Sequence, residues 1–344
     1  MPTTLRSVAP AAGLFLLAPL AAEYLPGDVS LAAPAYLVVL APLYGGGALV
    51  VREVARRAGI GWPGILLLAL AYAVTQEGLV TQTLFDRTYL GHDLLGPAYV
   101  PMLGMGAWWT LFVLTLDAVW SISVPIALVE TLVPGRRTAP WLGPPGLAVA
   151  ATLFGFGVVS SALGTYGATR FLASPAQLAG AAAVVAGAVA AAPALGRRVR
   201  TADPRRAPGP WPVAVLAVGA AGVFLALAHR PGWRTAGVYV ALYVLTAALV
   251  AAWSRRAGWG AAHVLALAGG ALLAYAVHGF AQRPMLGPAG PVDLAGNAVL
   301  AAGALALVAA GARAVGRERA GGCPGPNPGR ADAPSRTPRA AGPP

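Results

Sequence analysis

The chain has no lysine, one cysteine (Cys323) and few charged residues of either sign. A single cysteine excludes an intramolecular disulfide framework and any zinc or iron–sulfur site built from several cysteines. Charged residues make up 10% of the 344 positions and hydrophobic residues 57%, a balance that excludes an ordinary soluble protein. The mean hydropathy of +0.67 therefore indicates an integral membrane protein.

The net charge of +12 comes from 24 basic residues, all of them arginine, set against 12 acidic residues. The arginines lie in short runs between long apolar stretches, which is typical of membrane-protein loops and not of a nucleic-acid-binding patch. We therefore expect the lipid bilayer as a partner and no nucleic acid. The sequence has no ATP-binding loop and no metal-binding spacing such as His-Glu-x-x-His, so we expect no metal site and no cofactor.

Ten apolar stretches are long enough to cross a hydrocarbon core of about 30 Å, which takes roughly 20 helical residues. Their approximate spans are 8–25, 31–51, 62–85, 106–133, 145–166, 174–195, 211–229, 235–253, 260–281 and 292–312. The sixth is mostly alanine and glycine, which insert weakly, but the alternation of the arginine-bearing loops requires it. The sequence thus predicts an all-α polytopic integral membrane protein, with about ten transmembrane helices in one bundle over residues 1–316.

The arginines also predict the orientation of the bundle. With the amino terminus inside, 16 arginines fall in cytoplasmic segments, five in the opposite loops and three in the tail. This bias predicts a plasma-membrane protein with both termini in the cytoplasm. An alternative is that Arg6 and the apolar run ending at Ala22 form a signal peptide. Residues 317–344, rich in proline, glycine and arginine, are expected to form a disordered cytoplasmic tail.

Polar residues inside the spans mark a candidate site, because an ionisable side chain in mid-bilayer is costly unless it faces protein or water. Seven such residues lie toward the outer half of the bundle: Tyr72, Gln76, Glu77, Asp117, Ser121, His278 and Asn297. Asp117 lies about 16 Å from the outer end of span four by helix rise. We predict that Glu77 and Asp117 lead one outward-facing polar site. The alternative is that they only hold neighbouring helices together.

Helical periodicity adds predictions about spans three and four. It places Tyr72, Gln76 and Thr83 on one side of span three and Glu77 roughly opposite. In span four, Pro125 frees the carbonyl four residues earlier and is expected to bend the helix.

Three further patterns concern other parts of the chain. Near the inner face, Arg52, Glu53 and Glu130 are interpreted as solvated helix ends, and Trp109 as an interface anchor. Small residues in span five indicate close helix packing. Spans two and three share Ala-Leu-Val, Arg-Arg-Ala-Gly and Leu-Ala-Tyr-Ala-Val, in the same order, with spans eight and nine. Asp117-Ala-Val in span four corresponds to Asn297-Ala-Val in span ten, so the sequence indicates a weak parallel repeat of spans two to four in eight to ten.

One short segment resembles a known family in outline. Gln76-Glu77-x-x-x-Thr81 is similar to the Glu-Glu-x-x-x-Arg motif of the membrane-embedded CAAX-protease and bacteriocin-processing family. That family also carries Phe-x-x-x-His and His-x-x-x-Asn motifs. In this chain span four has no Phe-x-x-x-His motif. In place of His-x-x-x-Asn the chain has Asp293-x-x-x-Asn297, with aspartate where the family has histidine. Because such enzymes use glutamates and histidines to activate water, the missing residues argue against that activity in this chain.

Three functional hypotheses follow from these residues. The principal one is a transporter or permease in which Glu77 and Asp117 bind a proton, a cation or a small solute. A membrane-embedded enzyme would use Glu77 as general acid or base with help from His278, although no catalytic residue is assigned. The third is a non-catalytic scaffold that works as an oligomer or as a subunit of a larger complex.

Overall fold

The computed structural model describes residues 3–197 and 202–321, and these ranges form a bundle of ten apolar helices. In chain order they are α1 (Thr3–Pro19, continued by Leu20–Tyr24), α2 (Pro34–Arg57), α3 (Trp62–Val80), α4 (Ala107–Leu132), α5 (Pro144–Thr169), α6 (Pro175–Gly196), α7 (Pro210–Ala226), α8 (Trp233–Trp253), α9 (Ala261–Gly279) and α10 (Pro291–Gly321). Among the described residues, eight helices are long and apolar enough to cross a membrane, and α1 and α7 have shorter apolar segments. The predicted all-α polytopic membrane protein is confirmed.

Burial divides the helices into an inner and an outer set. Between 50% and 67% of the apolar part of α2, α3, α4 and α9 is buried within the bundle, against 11% to 22% for α5, α6, α8 and α10. The two larger hydrophobic cores meet at α4: one lies mainly among α1 to α4, and the other among α4 and α7 to α10. The outer set turns most of its surface toward the bilayer, which accepts apolar side chains at little cost.

The alanine-rich α6 packs along α3 through small residues on both helices. A Cβ atom on Gly64 would lie 2.6 Å from the carbonyl oxygen of Ala192 and 3.1 Å from the Cα atom of Gly196. Helix association in lipid depends on such close van der Waals contact, because lipid supplies no hydrophobic driving force between helices. The alanine-rich helix that was expected to insert weakly therefore has a closely packed neighbour.

Each of the first four helices contains a π-helical turn, in which N–H groups donate to carbonyls five residues earlier. For example, the Leu25 N–H donates to the Leu20 carbonyl at 2.8 Å, and the Thr81 N–H to the Gln76 carbonyl at 2.8 Å. The turns are Leu20–Tyr24, Ala41–Gly45, Thr75–Val80 and Leu116–Ser123. The irregularity expected near Pro125 takes this form, since the fourth turn ends two residues before the proline.

Short strands connect the loops at each end of the bundle. Between α3 and α4, β1 (Tyr99–Val100) pairs antiparallel with β2 (Met105–Gly106). At the opposite end, β3 (Asp203–Arg206) pairs parallel with β4 (Arg256–Ala257), which joins two arginine-bearing loops.

Two predicted boundaries differ from the observed helices. Span three was expected to reach residue 85, but α3 ends at Val80 and Gln82 adopts a positive φ of 57°. The predicted bundle ends at residue 316, whereas α10 continues to Gly321. The rest of the expected tail, residues 322–344, lies outside the described residues.

The packing of α5 against α2 depends on one of the small residues of span five. A Cβ atom on Gly157 would lie 2.4 Å from the backbone nitrogen of Leu43, whereas one on Gly155 would meet nothing within 4 Å. We expect Gly157→Ala to destabilise the bundle by about 1–3 kcal/mol through overpacking. Gly155→Ala, the matched control, should change stability by less than about 1 kcal/mol. Thermal unfolding in detergent measures both, and equal melting temperatures would contradict this contact.

Candidate functional site

The centre of the polar residues is a carboxyl pair formed by Glu77 of α3 and Asp117 of α4. Both side chains are buried, with 6% and 5% of their surface exposed. α3 packs against the turn of α4 that carries Asp117, and the two carboxyl groups interact electrostatically. The Ser121 hydroxyl donates to Asp117 Oδ1 at 3.0 Å. Asp117 Oδ2 is buried and accepts no hydrogen bond from a donor within the described residues. The free oxygen and the neighbouring carboxyl leave room for a proton held between the two acids.

Three side chains from the outer end of the bundle hold Glu77. Thr81 donates to Glu77 Oε2 at 3.2 Å, and the Thr83 hydroxyl donates to the same oxygen. Trp109 Nε1 donates in turn to the Thr83 hydroxyl at 3.1 Å. Periodicity placed Thr83 opposite Glu77, and that prediction is wrong because α3 ends at Val80 and the chain turns back. Trp109, interpreted as an interface anchor, also supports the carboxyl pair.

Two residues on α1 and α2 that were not predicted lie beside the pair. The Tyr44 hydroxyl donates to Glu23 Oε1 at 2.5 Å, and its ring lies 6.3 Å from that of Tyr72. Glu23 and Asp117 both interact electrostatically with Tyr44 and with Tyr72. The sequence signal for Glu23 was its position in the last turn of an apolar span, where a carboxyl group needs a partner. We call Glu23, Tyr44, Tyr72, Glu77 and Asp117 the outer carboxyl cluster.

The outer carboxyl cluster coincides with the irregular backbone. Glu23, Tyr44, Glu77 and Asp117 each lie in one of the four π-helical turns. Single π turns inside α-helices occur frequently at functional sites, because the extra residue redirects a side chain and loosens the backbone hydrogen bonds. Tyr72 lies just before its turn, and its ring fills space that a side chain at Gly47 would occupy.

Gln76 is adjacent to Glu77 in sequence, but within the described residues no hydrogen bond joins its side chain to the pair. The side chain is buried, with 4% exposed, and its Oε1 accepts no hydrogen bond from the described residues. Its backbone carbonyl accepts from the Thr81 hydroxyl at 3.0 Å, which connects it indirectly to the residues around Glu77.

His278 and Asn297 interact with other groups. The His278 side chain lies 2.5 Å from the Gln282 amide and 6.2 Å, between ring centroids, from His229. Asn297 donates from Nδ2 to the Gly279 carbonyl at 3.0 Å, which ties α10 to the end of α9. Within the described residues, neither side chain hydrogen-bonds to Glu77 or Asp117. The seven predicted residues therefore divide into the carboxyl pair with its neighbours and a separate outer contact between α9 and α10.

The inner polar residues are buried, and the interpretation of them as solvated helix ends is wrong. The Arg52 side chain is 0% exposed and pairs with Glu53 at 2.6 Å and Glu130 at 3.0 Å. Arg56 also pairs with Glu130, at 2.5 Å. The Trp141 ring lies 3.3 Å from the Arg52 guanidinium carbon. We call Arg52, Glu53, Arg56 and Glu130 the inner arginine network; each charge in it has an opposite charge, which makes burial tolerable.

The network borders a cavity of about 210 Å³ at the same end of the bundle. Its lining includes Glu130, Arg137, Trp62 and Trp259, and is mostly apolar. No group of three or more histidine, cysteine, aspartate or glutamate side chains suited to a metal ion occurs in the ranges 3–197 and 202–321.

Comparison with known proteins places the chain in a family. One family model, described as an uncharacterized membrane protein family, matches residues 14–317. No curated protein and no solved structure matches the chain. The matched segment runs from α1 into the last turns of α10 and contains both the outer carboxyl cluster and the inner arginine network. The chain therefore belongs to this uncharacterized membrane protein family.

Proposed function

We propose that the protein is a proton-linked permease of the plasma membrane, with both termini in the cytoplasm. The observation that carries this proposal is the burial of two acids, Glu77 and Asp117, on central helices that pack against each other, where their charges interact. Two carboxylates this close repel each other, burial strengthens the repulsion, and a proton shared between them relieves it. A site that holds one proton between two acids can release it and bind it again during transport.

The backbone around the pair supports a moving site. Alternating access requires helices that bend near the binding site, and π-helical turns supply weak points without breaking the helix. Four such turns surround the pair, whereas α5 and α6, on the outside of the bundle, are continuous α-helices. The enzyme hypothesis required His278 within reach of Glu77, and the hydrogen-bond partner of His278 is Gln282 instead.

Proton movement in proteoliposomes tests the proposed function. Purified protein would be reconstituted with a trapped pH dye, and gradients of Na⁺, K⁺ and a panel of small organic cations and anions would be imposed in turn. We expect at least one gradient to drive proton flux that empty liposomes do not show. Absence of protein-dependent flux with every gradient, from correctly inserted protein, would exclude a proton-linked permease and favour the scaffold hypothesis.

Accessibility to water tests the position and orientation of the site. In a Cys323→Ser background, a cysteine at Thr81, which is partly exposed and contacts Glu77, should react with a membrane-impermeant thiol reagent added outside cells. In the unmodified chain, the native Cys323 should react with the same reagent only after the membrane has been permeabilised. Labelling of Thr81→Cys only from the inside would mean that the protein has the opposite orientation in the membrane. No labelling from either side would mean a dry, packed pair and would contradict the outward-facing site.

A further inference from the structure

Glu23 is the member of the outer carboxyl cluster with the best access to the surface. Its side chain is partly exposed at the outer end of α1, whereas Glu77 and Asp117 are buried. The turn that carries Glu23 packs directly against the turn of α4 that carries Asp117. Its carboxylate accepts the short hydrogen bond from Tyr44, whose ring lies next to Tyr72. Glu23 therefore stands between the outer surface and the carboxyl pair.

The groups around Glu23 are acidic or phenolic. On its own segment, Tyr24 and Asp28 interact with its charge. From other segments the groups that do so are Tyr44, Tyr72, Glu77, Tyr89, Asp117 and Tyr275. None of these is an arginine or a histidine. The surroundings of Glu23 thus attract protons and other cations to this end of the cluster and repel anions.

The loop beside Glu23 responds to the same negative field. Burial, together with the charge of Glu23, raises the pKa of Asp28 to about 7. Asp28 lies after the end of α1, and its backbone carbonyl accepts from Met285 N–H at 2.8 Å. The negative charge of Glu23 therefore reaches both the outer loop and the buried pair.

We propose that Glu23 is the proton-entry residue of the carboxyl pair and sets the pH at which the pair loads. This inference rests on the proposed function and assigns a role to a residue outside the pair. A proton from outside water binds the Glu23 carboxylate, forming an O–H bond, and then passes inward to the pair. Glu23 returns to its carboxylate form, so one proton enters the pair and Glu23 itself is unchanged.

Infrared spectroscopy of the purified protein tests this role without requiring transport. The carboxylic acid C=O band of the pair, identified by its loss in Glu77→Gln and Asp117→Asn, would be followed through a pH titration. Glu23→Gln removes a negative charge that favours the protonated pair, so we expect the midpoint to fall by about one pH unit. Glu23→Asp keeps the charge and should restore a midpoint near that of the unmodified protein.

The matched control is Asp86→Asn. Asp86 is also a buried acid at the outer end, with 3% exposed, but it accepts from the Thr88 N–H of its own loop at 2.9 Å. This variant should leave the midpoint of the pair unchanged. Equal midpoints for Glu23→Gln, Asp86→Asn and the unmodified protein would overturn the proposal. Melting temperatures identify any variant that fails to fold, and Glu23→Asp provides the second test in that case.

The outcomes separate this inference from the proposed function. A shifted midpoint in Glu23→Gln without proton flux in any variant would support the role of Glu23 in loading the pair and contradict the permease. Proton flux that needs Glu77 but proceeds at the same rate and midpoint in Glu23→Gln would support the permease and exclude Glu23 as its entry residue. If both statements hold, the initial rate of proton uptake in Glu23→Gln falls by up to about tenfold at outside pH values above the midpoint, where a midpoint one unit lower reduces proton occupancy about tenfold.

Discussion

We expect Glu77→Gln to abolish proton-coupled flux in proteoliposomes and to leave the amount of folded protein unchanged. Glutamine has the same shape as glutamic acid and can still accept hydrogen bonds from Thr81 and Thr83, so the end of α3 keeps its structure. It cannot exchange a proton with Asp117. Because an amide neither binds nor releases a proton near neutral pH, proton-coupled flux should fall to the level of empty liposomes.

Asp117→Asn should give the same loss, because the proton is held by the pair and not by one residue. Glu318→Gln is the control: Glu318 is 42% exposed at the opposite end, where it pairs with Arg137 at 2.9 Å. Its flux should match that of the unmodified protein. Full activity in both Glu77→Gln and Asp117→Asn would contradict the proposed function. A fall in abundance or in partner recovery, with no effect on flux, would instead identify the pair as structural.

Arg52→Met is expected to cause the largest loss of stability among single substitutions in the inner arginine network. The Arg52 guanidinium is fully buried, pairs with Glu53 and Glu130, and donates to backbone carbonyls of the loop after α4, including that of Ala139 at 2.9 Å. Without Arg52, Glu130 keeps Arg56, whereas Glu53 keeps only the partly exposed Arg57 at 3.7 Å. The loop carbonyls also lose their buried donor, and breaking a buried ion pair of this kind costs about 3–5 kcal/mol.

The control is Arg256→Met. Arg256 pairs with Asp203 at 3.6 Å, and both side chains are about one-third exposed, at 28% and 32%. Exposed pairs of this kind contribute about 0–1 kcal/mol. Thermal and chemical unfolding in detergent compare the two variants. A similar small loss in both would mean that Arg52 is hydrated in solution and that the network does not depend on burial.

The sequence by itself determined the fold class, because the bilayer imposes a strong and local physical requirement. A helix needs about 20 consecutive apolar residues to cross the hydrocarbon core, so each span can be recognised from its local sequence alone. Even the alanine-rich α6 was identified, from the arginines in the loops around it. The same reasoning identified Glu77 and Asp117, since an acid inside an apolar span is costly wherever its partner lies.

The sequence did not show which residues belong with that pair. The hydrogen bond from Tyr44 to Glu23 joins positions 21 residues apart on two helices, and no periodic pattern connects them. Thr83 faces Glu77 only because α3 stops at Val80, and helical periodicity continued past that point gives the opposite side. His278 and Asn297 were predicted to belong with Glu77, yet His278 contacts Gln282 in the loop after α9, and Asn297 donates to Gly279 at the end of α9.

The inner end of the bundle shows the same division. An arginine next to an acid at the end of a span has the same sequence whether it is hydrated or buried. Arg52 is buried because Glu130, 78 residues later in the chain, and the loop that carries Trp141 pack against it. Local sequence thus determines which segments enter the membrane, since that depends on transfer from water to lipid. Tertiary structure decides which charges meet, since pairing depends on how separate helices pack.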